Sequence, residues 1–566
     1  MKSRILVFAL VICLLFSLTV FAKAPADGTF EGTGQGFGGP VKVNVQVADG
    51  EITAIEVAEH NESYGIGDRP LDIMSERILA AQSYEVDLVS GATYSANALK
   101  FAVKDALDTA GIEGFDAATK TEMTEEEITT DVVVVGAGLA GISAAIEAKL
   151  AGSDVVVLEK LGRIGGNSIL SGGIVCATGS PMNEAFEDDA DDLVSYYQER
   201  ANGKADEELL YYIAENSGDS IAFMLENGVE FNEDIGLGGT SPRQRLHSSP
   251  SRGAGIVLPL LEKAEELGVE FMLERPVTSL ISEDGAVKGV VSEGRYGTLT
   301  INAGAVVMAA GGFDADEAVR DMYSPHAQGA IPYTSKGNTG DYIAWAEDLG
   351  AELYFNDGVV GIRAVTATAY LTDSINLLGW LNTIAVTDEG VRFSSEAADY
   401  PILFTNMVAT GRQDFYWIYD GVTMPELCEL AVERNVGFKG ETLEELAETA
   451  GMDPGTLVEN VERYNSFAGG EDEDFGKAGI VALADGPYYA IRVRPATIGT
   501  MGGFVTNTNS EVLDIYGETI PGFYAAGECA SGKFFDQEYP SSGTMLNIAT
   551  VFGRTAGINA AAYAGE

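Results

Sequence analysis

The hydrophobic pattern near the start of the chain is that of a hairpin followed by helices. Residues 41–60 alternate apolar and polar side chains on either side of Asp49-Gly50. Because a half-buried strand hides every second residue and Asp-Gly is a preferred two-residue turn, this pattern predicts a β-hairpin. Helices are predicted over residues 70–82 and from the loop at residues 90–95 through Leu107. The sequence therefore predicts a small α+β domain in this region.

A continuous apolar run at residues 131–135 begins a second pattern. Three glycines with the spacing GxGxxG follow it, namely Gly136, Gly138 and Gly141. An alanine-rich helical stretch and a second apolar run at residues 154–158 come next, and that run ends in Glu159. The order predicts a βαβ unit whose glycines allow a tight turn, approach of backbone N–H groups to a pyrophosphate, and close packing of helix on sheet. Because a carboxylate at Glu159 can accept hydrogen bonds from an adenosine ribose, the unit predicts a bound dinucleotide.

The rest of the chain continues to alternate strands with helices. The loop GGNSILSGG at residues 165–173 is rich in glycine and serine, and such a loop can wrap a flat ring system through backbone contacts. Helices are predicted at residues 191–198, 205–227 and 255–267, and strands at residues 269–273, 287–292 and 305–309. A last strand begins near residue 520 and runs into Gly527-Glu528. The predicted fold class is α/β.

Composition narrows the chemistry. The 34 basic and 86 acidic residues give a net charge of −52, which repels nucleic acid and anionic lipid headgroups as specific partners. The simplest interpretation of this charge is a solubilising acidic surface. Beyond residue 24 there are three widely separated cysteines, and the chain has three histidines. These residues predict neither a disulfide framework nor a metal site, so redox chemistry must come from organic cofactors.

The first 24 residues have the pattern of a secretory signal. Lys2 and Arg4 precede an apolar run at residues 5–21, and small residues end at Ala24. The alternative is an uncleaved N-terminal anchor, although the apolar run is short for a membrane span. We expect an extracytoplasmic protein that is periplasmic, attached to the cell surface or secreted.

The loop SGATYS at residues 90–95 opens the second predicted helix. Unpaired N–H groups at a helix N-terminus favour a phosphate, and a simple Ser/Thr cap is the alternative interpretation. Residues 28–111 resemble the FMN-binding domain of electron-transfer subunits and of extracytoplasmic fumarate-reductase-like enzymes. The matching positions are Asp87, Ser90, Gly91, Ala92, Thr93 and Ser95. The resemblance implies that Thr93 carries FMN through a phosphoester bond made by a dedicated flavin transferase.

The chain from residue 131 onwards resembles the flavoprotein subunit family of fumarate reductase and succinate dehydrogenase, in its flavocytochrome c branch. The matching positions are Gly136, Gly138, Ala140, Gly141, Glu159, Asn167, Ser168, Gly172, Gly173, Val277, Asp341, Glu528, Met545 and Leu546. The resemblance implies that these residues bind FAD without a covalent bond, because the family's covalently modified His has no counterpart here. It also implies an inserted clamp domain.

The predicted organisation follows from these two resemblances. It comprises a signal (residues 1–24), an FMN-binding domain (25–113), an acidic linker (114–129), the first part of the FAD-binding domain (130–353), the clamp (354–495) and the second part of the FAD-binding domain (496–566). The FMN domain is expected to be a small α+β fold, and the FAD domain to be Rossmann-like with an α+β insertion.

The fumarate reductase pattern fails where a dicarboxylate would be held. Fumarate reduction needs cationic groups for two carboxylates and a proton donor. None of the family's five substrate-binding and catalytic positions keeps the family's residue. The QxHPT stretch falls on residues 359–365, the TExxRG stretch on residues 375–380, and the catalytic Arg on Tyr400. The His before TMGG falls on residues 498–499, and the Arg of NRxGG falls on Pro540. We therefore expect a substrate other than a dicarboxylate, and for the same missing Arg we do not favour urocanate.

The residues that stand there favour different chemistry. The stretch YPSSG at residues 539–543 resembles the YPGxG element of 3-ketosteroid dehydrogenases. This resemblance implies that the Tyr539 hydroxyl and the Gly543 N–H stabilise an enolate oxygen, with Tyr400 as the proton donor to the α-carbon. The alternatives are a packing residue on a turn for Tyr539 and a buried core aromatic for Tyr400. Further candidates are Trp380, Phe534 and Phe535 for an apolar pocket, and His247 for the flavin cleft.

Together these features predict an exported two-flavin reductase. Electrons from a membrane-side donor would pass through covalent FMN to FAD and reduce a small-molecule acceptor, the C=C bond of an enone or enoate. The alternatives are a fumarate- or urocanate-type reductase, a reductase of a sulfoxide or other terminal acceptor, the same reaction run as a dehydrogenase, and a non-catalytic flavin electron carrier.

Overall fold

The computed structural model describes residues 27–118, 123–182, 188–237, 243–368, 373–380 and 383–565. The predicted signal at residues 1–24 lies outside the described residues. The chain divides into two compact units, Met1–Lys120 and Thr121–Glu566. Over the described ranges, every helix is too short or too polar to cross a bilayer.

The first unit is a three-stranded antiparallel sheet packed against two helices. Its elements are β1 (Gly28–Gln35), β2 (Pro40–Ala48), β3 (Glu51–Glu59), α1 (Arg69–Ala81) and α2 (Thr93–Ala110). β2 and β3 form the predicted hairpin, and both turn residues take positive φ, 54° at Asp49 and 85° at Gly50. Alternate valines of β2, from Val41 to Val47, are buried with the inner face of α2. The predicted α+β fold of this region is confirmed.

The second unit begins with elements of the predicted nucleotide-binding fold. They are β4 (Thr124–Val135), α3 (Leu139–Leu150), β5 (Val155–Glu159), β6 (Ile174–Cys176), α4 (Ala190–Arg200), α5 (Glu207–Glu226), β7 (Gly236–Leu237), β8 (Gln244–Ser248), α6 (Ala254–Glu266), β9 (Glu270–Leu273), β10 (Val277–Glu283), β11 (Ala286–Gly294), β12 (Gly297–Met308), α7 (Glu317–Tyr323), β13 (Ile331–Pro332) and α8 (Tyr342–Leu349).

The remaining elements complete the second unit. They are β14 (Leu353–Val365), β15 (Ile384–Thr387), α9 (Tyr400–Ala409), β16 (Phe415–Tyr419), α10 (Pro425–Glu433), β17 (Gly437–Gly440), α11 (Leu443–Ala450), α12 (Pro454–Ser466), β18 (Tyr488–Phe504), β19 (Glu511–Leu513), β20 (Thr519–Ala525) and α13 (Thr544–Ala564). Short 3₁₀ turns occur at Ser168–Leu170, Pro325–Ala327, Ser374–Trp380, Gly527–Cys529 and Gly532–Phe534.

An eight-stranded sheet forms the centre of the second unit. β12, β4, β5 and β9 are neighbouring parallel strands, and β20 runs parallel to β12. β10, β11 and β19 add antiparallel strands at the periphery. The carboxyl ends of the parallel strands meet at one edge of the sheet, which is where open α/β sheets bind their ligands.

The predicted linker is wrong in its second half. Residues 124–129 are the start of β4 and pair in register with β12, from Thr124 opposite Gly297 to Thr129 opposite Asn302. Most of their side chains are exposed, so the strand tolerates acidic residues and has no hydrophobic alternation. Backbone hydrogen bonds hold this segment, and the sequence pattern carries no sign of them.

A second sheet of six strands covers the region predicted as the clamp. β14, β16, β17 and β13 all pair with β18, and β15 pairs with β16. β18 is 17 residues long and runs without a break through the predicted boundary at residue 495. Its amino-terminal half lies among β16 and β17, and its last residues pair with the start of β14, Leu353 opposite Phe504. A small three-stranded sheet, β6-β8-β7, lies apart from both.

Candidate active site

A cavity of about 440 Å³ opens at the carboxyl ends of β4, β5 and β12. Most of the sequence-predicted FAD and catalytic residues line it: Gly136, Gly138, Ala140, Glu159, Asn167, Ser168, Gly172, Val277, Asp341, Tyr400, Glu528, Tyr539, Gly543, Met545 and Leu546. These residues come from segments more than 400 positions apart in the chain. The volume of the cavity is typical of a ligand pocket.

The glycines after β4 shape one wall of the cavity. Gly136 has φ 104°, and a Cβ there would lie 2.3 Å from the Ala309 carbonyl oxygen. A Cβ on Gly141 would lie 2.0 Å from the Gly136 oxygen, so α3 packs directly on the turn. Gly138 faces open space, with Ser168 Oγ at 3.9 Å from its Cβ position, and caps α3 without a side-chain hydrogen bond. This helix N-terminus fits a pyrophosphate.

Glu159 ends β5 beside this turn and is 7% exposed. Its carboxylate accepts hydrogen bonds from the backbone N–H groups of Ala137 (3.1 Å) and Leu161 (2.8 Å). Burial raises its pKa, and the two N–H groups oppose that shift. Each oxygen keeps a further acceptor site, as binding of a ribose requires. Nearby, Lys160 Nζ donates to Asp341 Oδ2 at 2.7 Å.

Glu528 is the hub of a polar network on the opposite side of the cavity. Asn167 Nδ2 donates to its Oε2 (3.1 Å), and Asn338 Nδ2 (3.0 Å) and the Thr500 N–H (2.7 Å) donate to its Oε1. Burial, together with the nearby Asp314, raises the pKa of Glu528 to about 7. The network connects the glycine-rich loop, the turn before α8 and β18 at the cavity wall.

Two predicted FAD residues lie outside the lining. Gly141 is in the first turn of α3 and packs against the Gly136 oxygen. At Gly173 (φ 67°) a Cβ would lie 2.1 Å from the Arg252 carbonyl carbon, so this glycine packs against the turn before α6. Lining residues that the sequence reasoning missed include Lys160, Arg252, Arg275, Asn338, Trp345 and Ser542. Asn338 could have been found, because it belongs to the GNTGD stretch that precedes α8.

Tyr400 is the first residue of α9 and faces the cavity. Asp399 caps the helix by accepting the Tyr400 N–H at 3.0 Å. The Tyr400 hydroxyl accepts a hydrogen bond from Ser542 Oγ at 3.3 Å, and its ring lies 6.0 Å from that of Trp380. Burial raises the pKa of Tyr400, while the Ser542 contact opposes the shift. The phenol therefore stays protonated over the physiological pH range.

Tyr539 lies at the N-terminus of α13 and is 3% exposed. Its hydroxyl oxygen accepts the Met545 N–H at 2.7 Å, which leaves the hydroxyl proton available for donation. Burial raises its pKa well above the ordinary value, with Tyr400 adding to the shift. Gly543 caps α13 with φ 83°, and a Cβ there would lie 2.7 Å from the Cys176 nitrogen. Tyr539 thus lies in the cavity lining, and its hydroxyl is held by the first turn of α13.

The prediction that Phe534 and Phe535 line the pocket is wrong. Phe534 and Phe535 are each 2% exposed and pack behind the cavity, with Phe534 against Phe552 at 5.1 Å and Phe535 against Tyr539 at 5.8 Å. Trp380 does line the cavity. His247 is fully buried on β8, where its Nε2 shares a 2.7 Å hydrogen bond with the Ser180 hydroxyl, and it does not reach the lining.

The lining near the two tyrosines is apolar. Val360, Ile362, Trp380 and Ile498 join Tyr400 there. Lys160, Arg252 and Arg275 are the cationic residues of the described lining, and none of them has a recorded contact with Tyr400 or Tyr539.

The sequence comparison with the fumarate reductase pattern overlooked Arg363. It stands within residues 359–365, is 5% exposed and lies outside the lining. Its Nε donates to the Gly379 oxygen at 2.6 Å, and its guanidinium stacks on the Trp380 ring at 4.6 Å. Burial lowers its pKa to about 10, so it remains charged at neutral pH. Arg363 therefore supports Trp380 from behind.

The predicted FMN residues lie in the first unit at the start of α2. Gly91 takes φ 81°, and Ala92, at the N-cap of α2, makes no side-chain hydrogen bond to the helix. Thr93 is exposed in that turn. Ser95 is buried and donates to the buried Glu62 carboxylate. A helix N-terminus with an exposed hydroxyl fits a phosphate-linked group.

The class of protein is that of a flavin-dependent oxidoreductase. Its cavity lies at the carboxyl ends of the parallel strands, with the glycine turn and Glu159 in the lining, and its first unit has a helix N-terminus that fits a phosphate. Residues 131–546 match the family described as the FAD binding domain, and residues 36–108 match the FMN-binding domain family. The chain belongs to the FAD binding domain family and carries an FMN-binding domain in its first unit.

Three known proteins illustrate the family. The urocanate reductase of Eggerthella lenta is 32% identical over 97% of this chain and 95% of its own. The open conformation of a flavocytochrome c3 fumarate reductase has a TM-score of 0.67 at 30% identity, over 77% of this chain and 79% of that chain. The 3-ketosteroid-Δ4-(5α)-dehydrogenase of Rhodococcus jostii RHA1, in complex with 4-androstene-3,17-dione, has a TM-score of 0.64 at 29% identity, over 78% and 100%.

Proposed function

We propose that the protein is an exported two-flavin reductase that hydrogenates the C=C bond of an α,β-unsaturated carbonyl compound, an enone or an enoate other than a dicarboxylate. The observation that carries this proposal is that Tyr400 and Tyr539 line the same cavity and that burial raises the pKa of both, which favours the protonated phenols. Such a pair can bind a carbonyl oxygen and protonate a carbon without a cationic clamp.

Tyr539 and Gly543 are placed to hold the carbonyl oxygen. The Tyr539 hydroxyl receives the Met545 N–H at 2.7 Å and can donate its own proton. Among the described residues the Gly543 N–H donates no hydrogen bond, so it is open to a second contact. Two such donors stabilise the negative charge that develops on the oxygen when hydride adds to the β-carbon.

Tyr400 is placed to supply the proton. FAD, when bound and reduced by two electrons, would supply the hydride to the β-carbon. The Tyr400 hydroxyl gives a proton to the α-carbon, and its raised pKa keeps it in the acid form. Ser542 Oγ, 3.3 Å from the phenol oxygen, is the atom from which a proton can return.

The apolar lining restricts the substrate. Val360, Ile362, Trp380 and Ile498 favour an aromatic or apolar body. A second carboxylate there would be desolvated without a cation, which is costly. Support also comes from the similar proteins, since the steroid in the Rhodococcus jostii structure is an enone.

Electrons are proposed to arrive through the first unit. Thr93 would carry FMN covalently, attached by a flavin transferase, and would receive electrons from a membrane-side donor. Support comes from the FMN-binding domain match and from the N-terminus of α2, where Ala92 makes no side-chain hydrogen bond to the helix. The secretory pattern of residues 1–24 supports an extracytoplasmic site for this chemistry.

The test is an anaerobic assay of the flavin-loaded enzyme with reduced methyl viologen. Oxidation of the dye on addition of an aryl enone or aryl enoate, with a product heavier by two hydrogens, supports the proposal. Dye oxidation with a sulfoxide and with no unsaturated carbonyl compound would mean that the enzyme is a sulfoxide reductase. Failure with every acceptor, while the bound flavins still take electrons, would favour an electron carrier.

A urocanate-type reductase is the second candidate. The Eggerthella lenta urocanate reductase is similar over nearly the whole chain, including both units. Urocanate is an aromatic enoate with one carboxylate, so the Tyr539 and Gly543 donors can hold one of its oxygens. Urocanate therefore belongs in the same assay, where a preference for it over other aryl enoates would establish this alternative.

A further inference from the structure

A half-buried carboxylate in the cavity lining, Glu528, and a fully buried one outside the lining, Asp314, share one hydrogen-bond donor. Asp314, in the loop after β12, is fully buried, and Glu528 follows β20 and faces the cavity. A single amide nitrogen links them, because Asn338 Nδ2 donates to Asp314 Oδ1 at 3.2 Å and to Glu528 Oε1 at 3.0 Å. The proposed catalytic steps use neither carboxylate.

The two carboxylates differ in their hydrogen bonds. Glu528 receives Asn338, Asn167, the Thr500 N–H and the Thr500 hydroxyl (3.2 Å). Asp314 Oδ2 is buried and accepts no well-aligned hydrogen bond from the described residues, and burial raises the pKa of Asp314 although the nearby Thr497 and Thr334 hydroxyls and Asn338 oppose the shift. Because donors stabilise the ionised form and burial without donors penalises it, Glu528 is suited to carry a charge and Asp314 to carry a proton.

No cation compensates the pair. In the described ranges, no lysine, arginine or histidine is hydrogen-bonded to or ion-paired with Asp314 or Glu528. The titratable groups that face Glu528 from neighbouring elements are Tyr342 and Cys529. Burial raises the pKa of Tyr342 well above its usual value and that of Cys529 to about 12, so both are neutral. Two carboxylate charges in this setting repel each other.

We propose that Asp314 and Glu528 act as a proton-storing pair, which holds one proton at neutral pH and takes up a second when electrons enter the FAD cavity. The electrons go from the reductant to FAD, and the pair is neither oxidised nor reduced. The second proton comes from water and forms the O–H bond of the second carboxylic acid. Negative charge arriving in the cavity makes that uptake more favourable. The pair therefore stores protons beside the FAD cavity and sets how the midpoint potential of FAD changes with pH.

This inference depends on FAD binding alone, and it stands whether or not the proposed substrate or the covalent FMN is correct. The readout is the midpoint potential of FAD as a function of pH, measured by spectroelectrochemistry on the full-length chain. The Thr93→Ala background isolates the FAD signal. One additional proton per two electrons steepens the dependence by about 30 mV per pH unit, since a tenfold change in equilibrium corresponds to about 30 mV for a two-electron couple.

The parent should show this steeper segment above about pH 7, beginning near the pKa of about 7 at Glu528 and ending at the higher pKa that Glu528 has once electrons occupy the cavity. Asp314→Asn and Glu528→Gln should both remove it, because either change leaves a single carboxylate. Glu147→Gln is the matched control, since Glu147 is a mostly buried carboxylate of the same unit that pairs with Arg554 away from the lining. The control should keep the steeper segment.

Three results would overturn the inference. The first is a parent curve with no steeper segment above about pH 7, a result that does not depend on how Asp314→Asn or Glu528→Gln folds. The second is loss of the segment in Glu528→Gln with full retention in Asp314→Asn, which would mean one group and not a pair. The third is an unchanged segment in both variants. Infrared difference spectra of reduced minus oxidised protein should gain a carboxylic-acid C=O band in the parent and in Glu147→Gln only.

Discussion

Replacing Tyr539 by phenylalanine isolates the proposed oxyanion contact. The change removes a hydroxyl that is buried at the start of α13 and leaves the ring against Phe535 at 5.8 Å. Removing one donor from an oxyanion site lowers kcat about 10²- to 10³-fold, which corresponds to about 2.7–4 kcal/mol of transition-state stabilisation. We expect Tyr539→Phe to show this loss on an aryl enone, with FAD still bound.

The same substitution also affects stability, and the two effects must be separated. The Met545 N–H loses its acceptor, and an unpaired buried polar group costs about 1–3 kcal/mol. Tyr197→Phe is the matched control: Tyr197 is 2% exposed and bonded to Thr544 Oγ1 at 2.9 Å, but lies outside the cavity lining. Both variants should lose similar stability in urea unfolding, and Tyr539→Phe alone should lose kcat. Equal kcat in the two variants would refute the oxyanion reasoning.

Three further changes test other parts of the account. Tyr400→Phe should lower kcat by about 10²- to 10⁴-fold, because the variant lacks the general acid. Because burial raises the pKa of Tyr400, the rate of the unmodified enzyme should not fall at the alkaline pH where an ordinary tyrosine ionises. A fall in rate there would argue against Tyr400 as the acid. Thr93→Ala should remove the covalently attached flavin, which is the flavin that stays on the chain after denaturation, while FAD remains bound to the folded protein. If flavin stayed on the denatured variant, the attachment site would be a residue other than Thr93. Asp472→Asn should destabilise the fold by about 3–5 kcal/mol at pH 7, since it breaks a buried ion pair with Arg392. Although burial opposes it, hydrogen bonds from Arg392 and backbone N–H groups lower the pKa of Asp472 to about 2. Its stabilisation is therefore present above about pH 4 and lost as the pH falls through about 2, and a stability difference that is constant from pH 7 to 2 would contradict the assignment.

The features that the sequence predicts well are local. The β4-turn-α3 unit is specified by a short apolar run and by the GxGxxG spacing, in which Gly141 meets the Gly136 oxygen five residues earlier. The β2–β3 hairpin is also local at its turn, where Ala48 pairs with Glu51 across Asp49-Gly50, but the register shifts between Val47 and Gln46 and between Val43 and Lys42 do not follow from a period of two.

The features that the sequence did not predict depend on long-range contacts. Tyr400 and Ser542 are 142 positions apart, and only the folded chain brings their hydroxyls to 3.3 Å. A phenylalanine that lines a pocket and one that packs in the core look the same in a sequence. Nothing near Phe534 and Phe535 in the chain shows that they pack behind the cavity, with Phe535 against Tyr539. The Asp314–Glu528 pair has no sequence signature at all, since Asn338 joins them across three separate loops.

The central claim is that the cavity selects an unsaturated carbonyl compound over a dicarboxylate. The most direct measurement is kcat/KM of the flavin-loaded enzyme with reduced methyl viologen for an aryl enone, an aryl enoate, urocanate and fumarate under one set of conditions. The account predicts turnover of the enone or aryl enoate, with fumarate the poorest of the four. Turnover of fumarate alone would contradict it and would mean that a cationic clamp exists which the described lining does not reveal.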